Sequence, residues 1–227
     1  RVASRGLGDV YKRQSPYNAL LDQYETGLTV TRLDPLFQGL RRSVSPLVRL
    51  ILESGITPSD DWVHGVKWPI ESQEMLSQKV SEAIGFDFNS GRRDSSIHPF
   101  CGGPNPQDVR WTTRYDESEP FGSLFGSMHE TGHGTYEQGR PEALVYQPAG
   151  KACGLGVHES QSRLWENQIG RSLAFCEWVL PLWKDYFPGS LEDVTPEMLW
   201  KSVNKIQPSY IRTCLLYTSP SPRDATL

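Results

Sequence analysis

Apolar residues recur along most of the chain at the three- and four-residue spacing of helices, and once in strict alternation. Leu36, Leu40, Val44, Leu47, Leu50 and Ile51 share one helical face. Asp34 suits a cap and Pro35 a first turn, so the pattern predicts an amphipathic helix from there to about Ser54, ended by Gly55. Pro46 predicts a kink or a division into two helices, and the apolar face predicts core. Upstream, residues 15–31 with Leu20, Leu21 and Tyr24 predict a helix ending near Gly27. Downstream, Met75, Leu76, Val80, Ala83 and Ile84 mark one side of a helix over 72–84, with Gly85 just past its end. Residues 87–107 are rich in Gly, Pro, Asn and Ser and read as a loop. Residues 108–115 then alternate. Val109, Trp111, Thr113 and Tyr115 face one way, and Asp108, Arg110, Thr112 and Arg114 the other, which predicts a half-buried strand. If it lies at an edge, it could pair with an extended peptide.

Helices resume at residues 121–137, packed by Leu124, Phe125, Met128 and Tyr136. Gly126 and Gly132 lower helix propensity there, and close approach of another element would compensate. A Gly/Pro-rich connection over 139–156 leads to a long helix from Val157 through Phe175 toward Trp183. Thr195, Pro196 and Glu197 cap a short helix reaching about Lys205.

Composition is that of an ordinary globular chain, with 37% hydrophobic and 22% charged residues among 227. No apolar run approaches the roughly 18 residues of a membrane span, and no signal-peptide pattern is visible. Cys101, Cys153, Cys176 and Cys214 show no paired spacing, so a reduced, cytoplasmic setting is expected. The two ends are related to each other. Residues 4–14 and 214–224 can be encoded by opposite strands of one DNA segment, as a sequencing adapter translated at both ends of a read would be. We therefore take 1–14 and 214–227 as adapter-derived tails and 15–213 as a fragment of one catalytic domain, lacking segments on both sides. The tails hold five of the 23 Lys/Arg and two of the 27 Asp/Glu, which leaves 15–213 at net −7. No basic stripe is present to meet nucleic-acid phosphates.

Candidate chemistry centres on His129-Glu130-Thr131-Gly132-His133, an HExxH pattern. On a helix the histidines project from nearly one face, a spacing that lets two imidazoles hold one Zn²⁺ while the intervening glutamate acts on its water. A catalytic zinc takes a third protein ligand. Glu159 lies 26 residues after His133 and opens a separate helix that could pack alongside; the alternative, His158, points about 100° away round the helix. HExxH with a distant glutamate does not by itself set exo- or endopeptidase cleavage.

Residues 129–138 (HETGHGTYEQ) followed by 158–167 (HESQSRLWEN) resemble the carboxypeptidase Taq family of zinc metallocarboxypeptidases. His98, Pro99 and Phe100 match that family's HPF signature, and Asp108 to Thr112 its DxRxT signature. The resemblance covers essentially all of 15–212. It implies a mainly α, zincin-like (gluzincin) fold with a small β-sheet beside the active-site cleft. It implies Zn²⁺ as cofactor, with Co²⁺ or Mn²⁺ as possible substitutes, peptide substrates trimmed at the C-terminus with broad specificity and proline resisted, and a homodimeric full-length protein. Carried over by position, His129, His133 and Glu159 are the metal ligands and Glu130 the general base. His98, Arg110 and His158 are candidate substrate contacts or oxyanion donors, and Gln161 and Glu166 candidate partners of the ligating imidazoles. Ile211 and Arg212 match the start of an IRxxAD motif, which makes Arg212 a candidate for the substrate's terminal carboxylate; the match then fails, because Cys214 begins the adapter-derived tail. Two other readings stand beside this one: a related zinc oligopeptidase or endopeptidase, and a catalytically incompetent fragment that at most binds metal.

Overall fold

The computed structural model describes residues 15–206; both predicted tails and Arg212 lie outside the described residues. Helices α1 (Pro16–Tyr24) and α2 (Val30–Glu53) come first, then α3 (Ile70–Ile84). Strands β1 (Gly91–Ser95), β2 (Cys101–Asn105) and β3 (Asp108–Thr113) follow. Helices α4 (Pro120–Gln138) and α5 (Leu155–Arg163), a π-helical segment (Leu164–Ile169), α6 (Leu173–Tyr186) and α7 (Pro196–Val203) complete the order. The mainly helical class with one small sheet is as expected. No helix among the described residues is long and apolar enough to cross a membrane.

Several local expectations are corrected. Helix α2 starts at Val30, not at Asp34, because Asn18 of α1 accepts the Val30 N–H at 2.9 Å and so supplies the cap from a distance. Both Pro35 and Pro46 lie inside α2, which stays one helix of 24 residues. Its apolar face is not core: no residue of α2 is buried, and Leu36 and Leu50 are 63% and 65% exposed. The Gly/Pro-rich stretch read as loop contains β1 and β2. Tertiary pairing wins there over poor strand propensity. β1 pairs parallel to β3 and β2 antiparallel, in the order β1-β3-β2. The alternating strand is therefore central, not an edge. Trp111 and Val109 pack with Phe86 beneath it, as the alternation predicts, but Thr112 on the other face is buried too, bonded to Ser96. The long helix predicted from Val157 breaks after the π-helical segment and restarts at Ser172, whose hydroxyl accepts from the Phe175 N–H. In α3 the buried side is Gln73, Leu76, Ser77, Val80 and Ser81; Met75 and Ala83 are exposed.

That polar face of α3 is matched to α4. Gln73 donates to the carbonyls of Trp68 and Asp116 and accepts from Ser123, and Ser81 bonds Thr131 at 2.8 Å. The contact is thus polar and largely paired, which small hydroxyl residues achieve without holding the helices apart. A larger apolar core joins α3, α4, α6 and α7. Trp68, Met128 and Trp183 are fully buried in it, and the rings of Trp62, Phe121 and Phe187 meet theirs edge-on or tilted. Helix α4 lies between this core and the sheet and is buried at every position from Ser123 to Gly132.

Candidate metal centre

Glu119 starts α4: its carboxylate accepts from the N–H groups of Phe121 and Gly122, and Pro120 takes the first helical position. Four residues apart on this helix, the His129 and His133 rings lie 4.8 Å apart, centroid to centroid. Helix α5 crosses α4 at Gly132, where a Cβ would meet the Gln161 carbonyl oxygen and Ser162 Cα at 2.7 Å. Glycine there is required by the crossing. At Gly126 and Gly134 the neighbours are side chains instead, the Thr113 hydroxyl at 3.3 Å and the Phe86 ring at 2.7 Å from where a Cβ would sit. The N-terminus of α5 is held by Glu25, whose carboxylate accepts from Gly156 N–H at 2.8 Å.

The crossing delivers Glu159. Its Oε2 lies 3.6 Å from His129 Nε2 and 3.4 Å from His133 Nε2. Among the described residues, these three side chains form the one group of His, Cys, Asp and Glu whose ligand atoms all fall within 4.8 Å of one another. Two neutral imidazoles and one carboxylate, with both Nε2 atoms turned to one point, fit a divalent cation and leave further coordination positions open. Burial opposes ionisation of Glu159, but His133, His129 and Arg163 outweigh it and set its pKa at about 2. Burial also lowers the pKa of His133, which keeps the ring neutral and able to ligate. The second carboxylate oxygen of Glu159 accepts from Arg163 Nε at 2.8 Å.

Each imidazole is backed on its other nitrogen. His129 Nδ1 is 2.8 Å from Glu166 Oε2, the partner expected from sequence, and Arg163 reaches the same oxygen at 3.1 Å. Burial resists ionisation of Glu166, and His129 and Arg163 reverse that, lowering its pKa. His133 Nδ1 meets Nδ1 of His158 at 2.6 Å, and His158 Nε2 meets Glu137 Oε1 at 2.7 Å. Both ring nitrogens of His158 are therefore taken up within the protein. Gln161 enters through its backbone against Gly132, while Glu166 and His158 serve the imidazoles. Glu130 is buried, 4% exposed. Burial raises the pKa of the Cys101 thiol, and the charges of Glu130 and Glu137 raise it further, so Cys101 of β2 stays protonated beside α4.

Two sequence candidates sit on the sheet. His98 is exposed in the β1–β2 connection, with its carbonyl accepting from Ser96. Arg110 is exposed on β3 and binds Asp108 through two hydrogen bonds of 2.8 and 2.7 Å. Glu137, Arg140 and Arg163 were not singled out from sequence, although Glu137 lies four residues after His133 and Arg163 four after Glu159, each one helical turn along.

A family model described as carboxypeptidase Taq (M32) metallopeptidase matches residues 4–214. The chain belongs to that family. It is 44% identical over 196 residues to thermostable carboxypeptidase 1 of Thermus thermophilus, covering 86% of this chain and 38% of the relative. It is 38% identical over 200 residues to carboxypeptidase 1 of Bacillus subtilis, covering 88% of this chain and 40% of that one. The solved M32 carboxypeptidase of Deinococcus radiodurans superposes with a TM-score of 0.84 at 35% identity, over 89% of this chain and 40% of that one. The M32 chain thus spans about two fifths of the length of these relatives.

Proposed function

We propose that this chain carries the metal centre of a zinc-dependent metallocarboxypeptidase of broad specificity, acting on the C-termini of peptides. The observation that carries the reading is the convergence of His129, His133 and Glu159 from two crossing helices. These three residues would hold the ion. A zinc ion held by them would supply Lewis acidity toward a scissile carbonyl and a water molecule. Glu130, adjacent to His129 and buried, takes the proton of the attacking water and passes it to the departing amine. Arg163 and Glu166 hold Glu159 and His129 in place during both steps. Arg212, beyond the described residues, is proposed as the cation for the substrate carboxylate. His98 and Arg110 remain candidates for contacts along the cleft. Since β3 is central, pairing with an extended peptide would fall to an edge strand, and β2 is the edge strand packed against α4. We extend the proposal to a homodimeric, cytoplasmic full-length protein.

A Glu130→Gln substitution in a full-length protein containing this site is expected to lower hydrolysis of a blocked dipeptide by on the order of 10²–10⁴-fold while zinc content stays at one per chain. Persisting hydrolysis would remove Glu130 as the base. Metal analysis of the 227-residue chain is expected to show zinc lost with Glu159→Ala; unchanged zinc would remove Glu159 as a ligand. The length spanned, two fifths of the relatives, supports a second reading for the chain alone: it binds metal without turnover. Zinc uptake with no hydrolysis by the 227-residue chain would support it.

A further inference from the structure

The two ligand histidines are backed differently. A carboxylate, Glu166, reaches His129 directly. Between His133 and its nearest supporting carboxylate, Glu137, a second imidazole is interposed. Glu137 is in turn ion-paired to Arg140, whose Nε donates to the Gly150 carbonyl at 2.9 Å. The Tyr136 ring packs edge-on against His158 at 4.8 Å and fixes its plane from the side.

Proton positions in this chain of groups are determined one by one. A neutral imidazole carries one N–H and one lone pair. For His133 to offer a lone pair from Nε2, its proton must sit on Nδ1. That N–H then donates to His158 Nδ1, which must be bare. The His158 proton is left on Nε2, where it donates to the Glu137 carboxylate. Reversing the chain would turn the His158 Nε2 lone pair toward an ionised oxygen at 2.7 Å and place the His133 proton on the side facing the metal position. Only one polarity satisfies every contact.

We propose that His158 and Glu137 are positioning residues that together set the tautomer of His133, a carboxylate–imidazole–imidazole relay, with Arg140 anchoring it to the 139–150 connection. The proposal rests on the metal-centre reading above. It extends that reading from the three ligands to two residues hydrogen-bonded in series behind His133.

The 227-residue chain, labelled with ¹⁵N at histidine and titrated with Zn²⁺, provides the test. Failure to take up one zinc would defeat the metal-centre reading itself. With zinc bound, His158 is expected to carry its proton on Nε2 alone, and a nitrogen–nitrogen coupling should join the Nδ1 atoms of His133 and His158. A protonated His158 Nδ1 in the zinc-loaded chain overturns the relay. Chelator competition gives a second readout. His158→Phe, which keeps a ring but no hydrogen bonds, should weaken zinc binding by roughly 10–100-fold. Glu137→Gln retains an acceptor for the Nε2–H and should stay closer to wild type than Glu137→Ala. Zinc affinity of His158→Phe within twofold of wild type would also overturn it. The wild-type spectrum decides alone if a variant does not fold.

Discussion

At Gly132 two helix backbones meet, and the whole centre depends on that single missing side chain. Adding one carbon in Gly132→Ala places it 2.7 Å from backbone atoms of α5, which no rotamer change can relieve. We expect a loss of about 1–3 kcal/mol in urea unfolding, and weaker zinc binding because α5 carries Glu159 away from the histidines. Unchanged zinc affinity would mean that α5 re-seats without cost. At this scale the sequence was most informative where spacing alone decides, as for His129 and His133. Glu137 and Arg163 were readable in principle by the same one-turn spacing from His133 and Glu159. The pairing of His133 with His158 was not, because it is made by the crossing of two helices and leaves no local periodicity.

Elements follow the same division between local and distant causes. The start of α7 was legible because Thr195, followed by proline, caps the same helix it precedes. The start of α2 was not, since its cap comes from Asn18 on another helix. Strands β1 and β2 were hidden because pairing with β3, not their own residues, makes them extended. A distant tie also holds the far end of the fold: Lys205, just past α7, lies 2.7 Å from Asp60. The Lys205 hydrogen bond lowers the Asp60 pKa from its ordinary 3.8, against the opposing effect of burial. The stability this adds is therefore present above about pH 4 and lost as pH falls through the lowered value. Lys205→Met should destabilise by about 1 kcal/mol or less at pH 6. The difference in urea midpoint from wild type should shrink progressively as pH is lowered below 4; a constant difference would show that the lost packing of the lysine stem is responsible.

For the molecule as a whole, the stripe of Leu36, Leu40, Val44, Leu47 and Leu50 has a marked consequence. Its amphipathic pattern is the clearest in the sequence, yet all five residues are exposed. Periodicity reports that a face is made for burial; it does not report whether the covering surface lies within the same stretch of chain. A contiguous apolar face of this kind promotes association. Light scattering on the 227-residue chain is expected to give a mass above the 25.6 kDa monomer, falling to monomer when Leu36, Leu40 and Leu47 are replaced by Gln. At dilutions where the wild type is monomeric, the replacements should leave the unfolding free energy within about 0.5 kcal/mol, since they disturb no contact buried within the monomer.

The burial of α4 on all sides, from Ser123 to Gly132, has a consequence for any saturation mutagenesis of this region. Ser127 and Thr131 will be as intolerant of exchange as Glu130, because each fills space against a neighbouring element. A loss-of-function map will therefore show one unbroken dark band along the helix and will not single out its chemistry. Isosteric exchanges such as Glu130→Gln or Thr131→Val, which keep volume and alter only charge or hydrogen bonding, are the ones that separate reacting groups from packing.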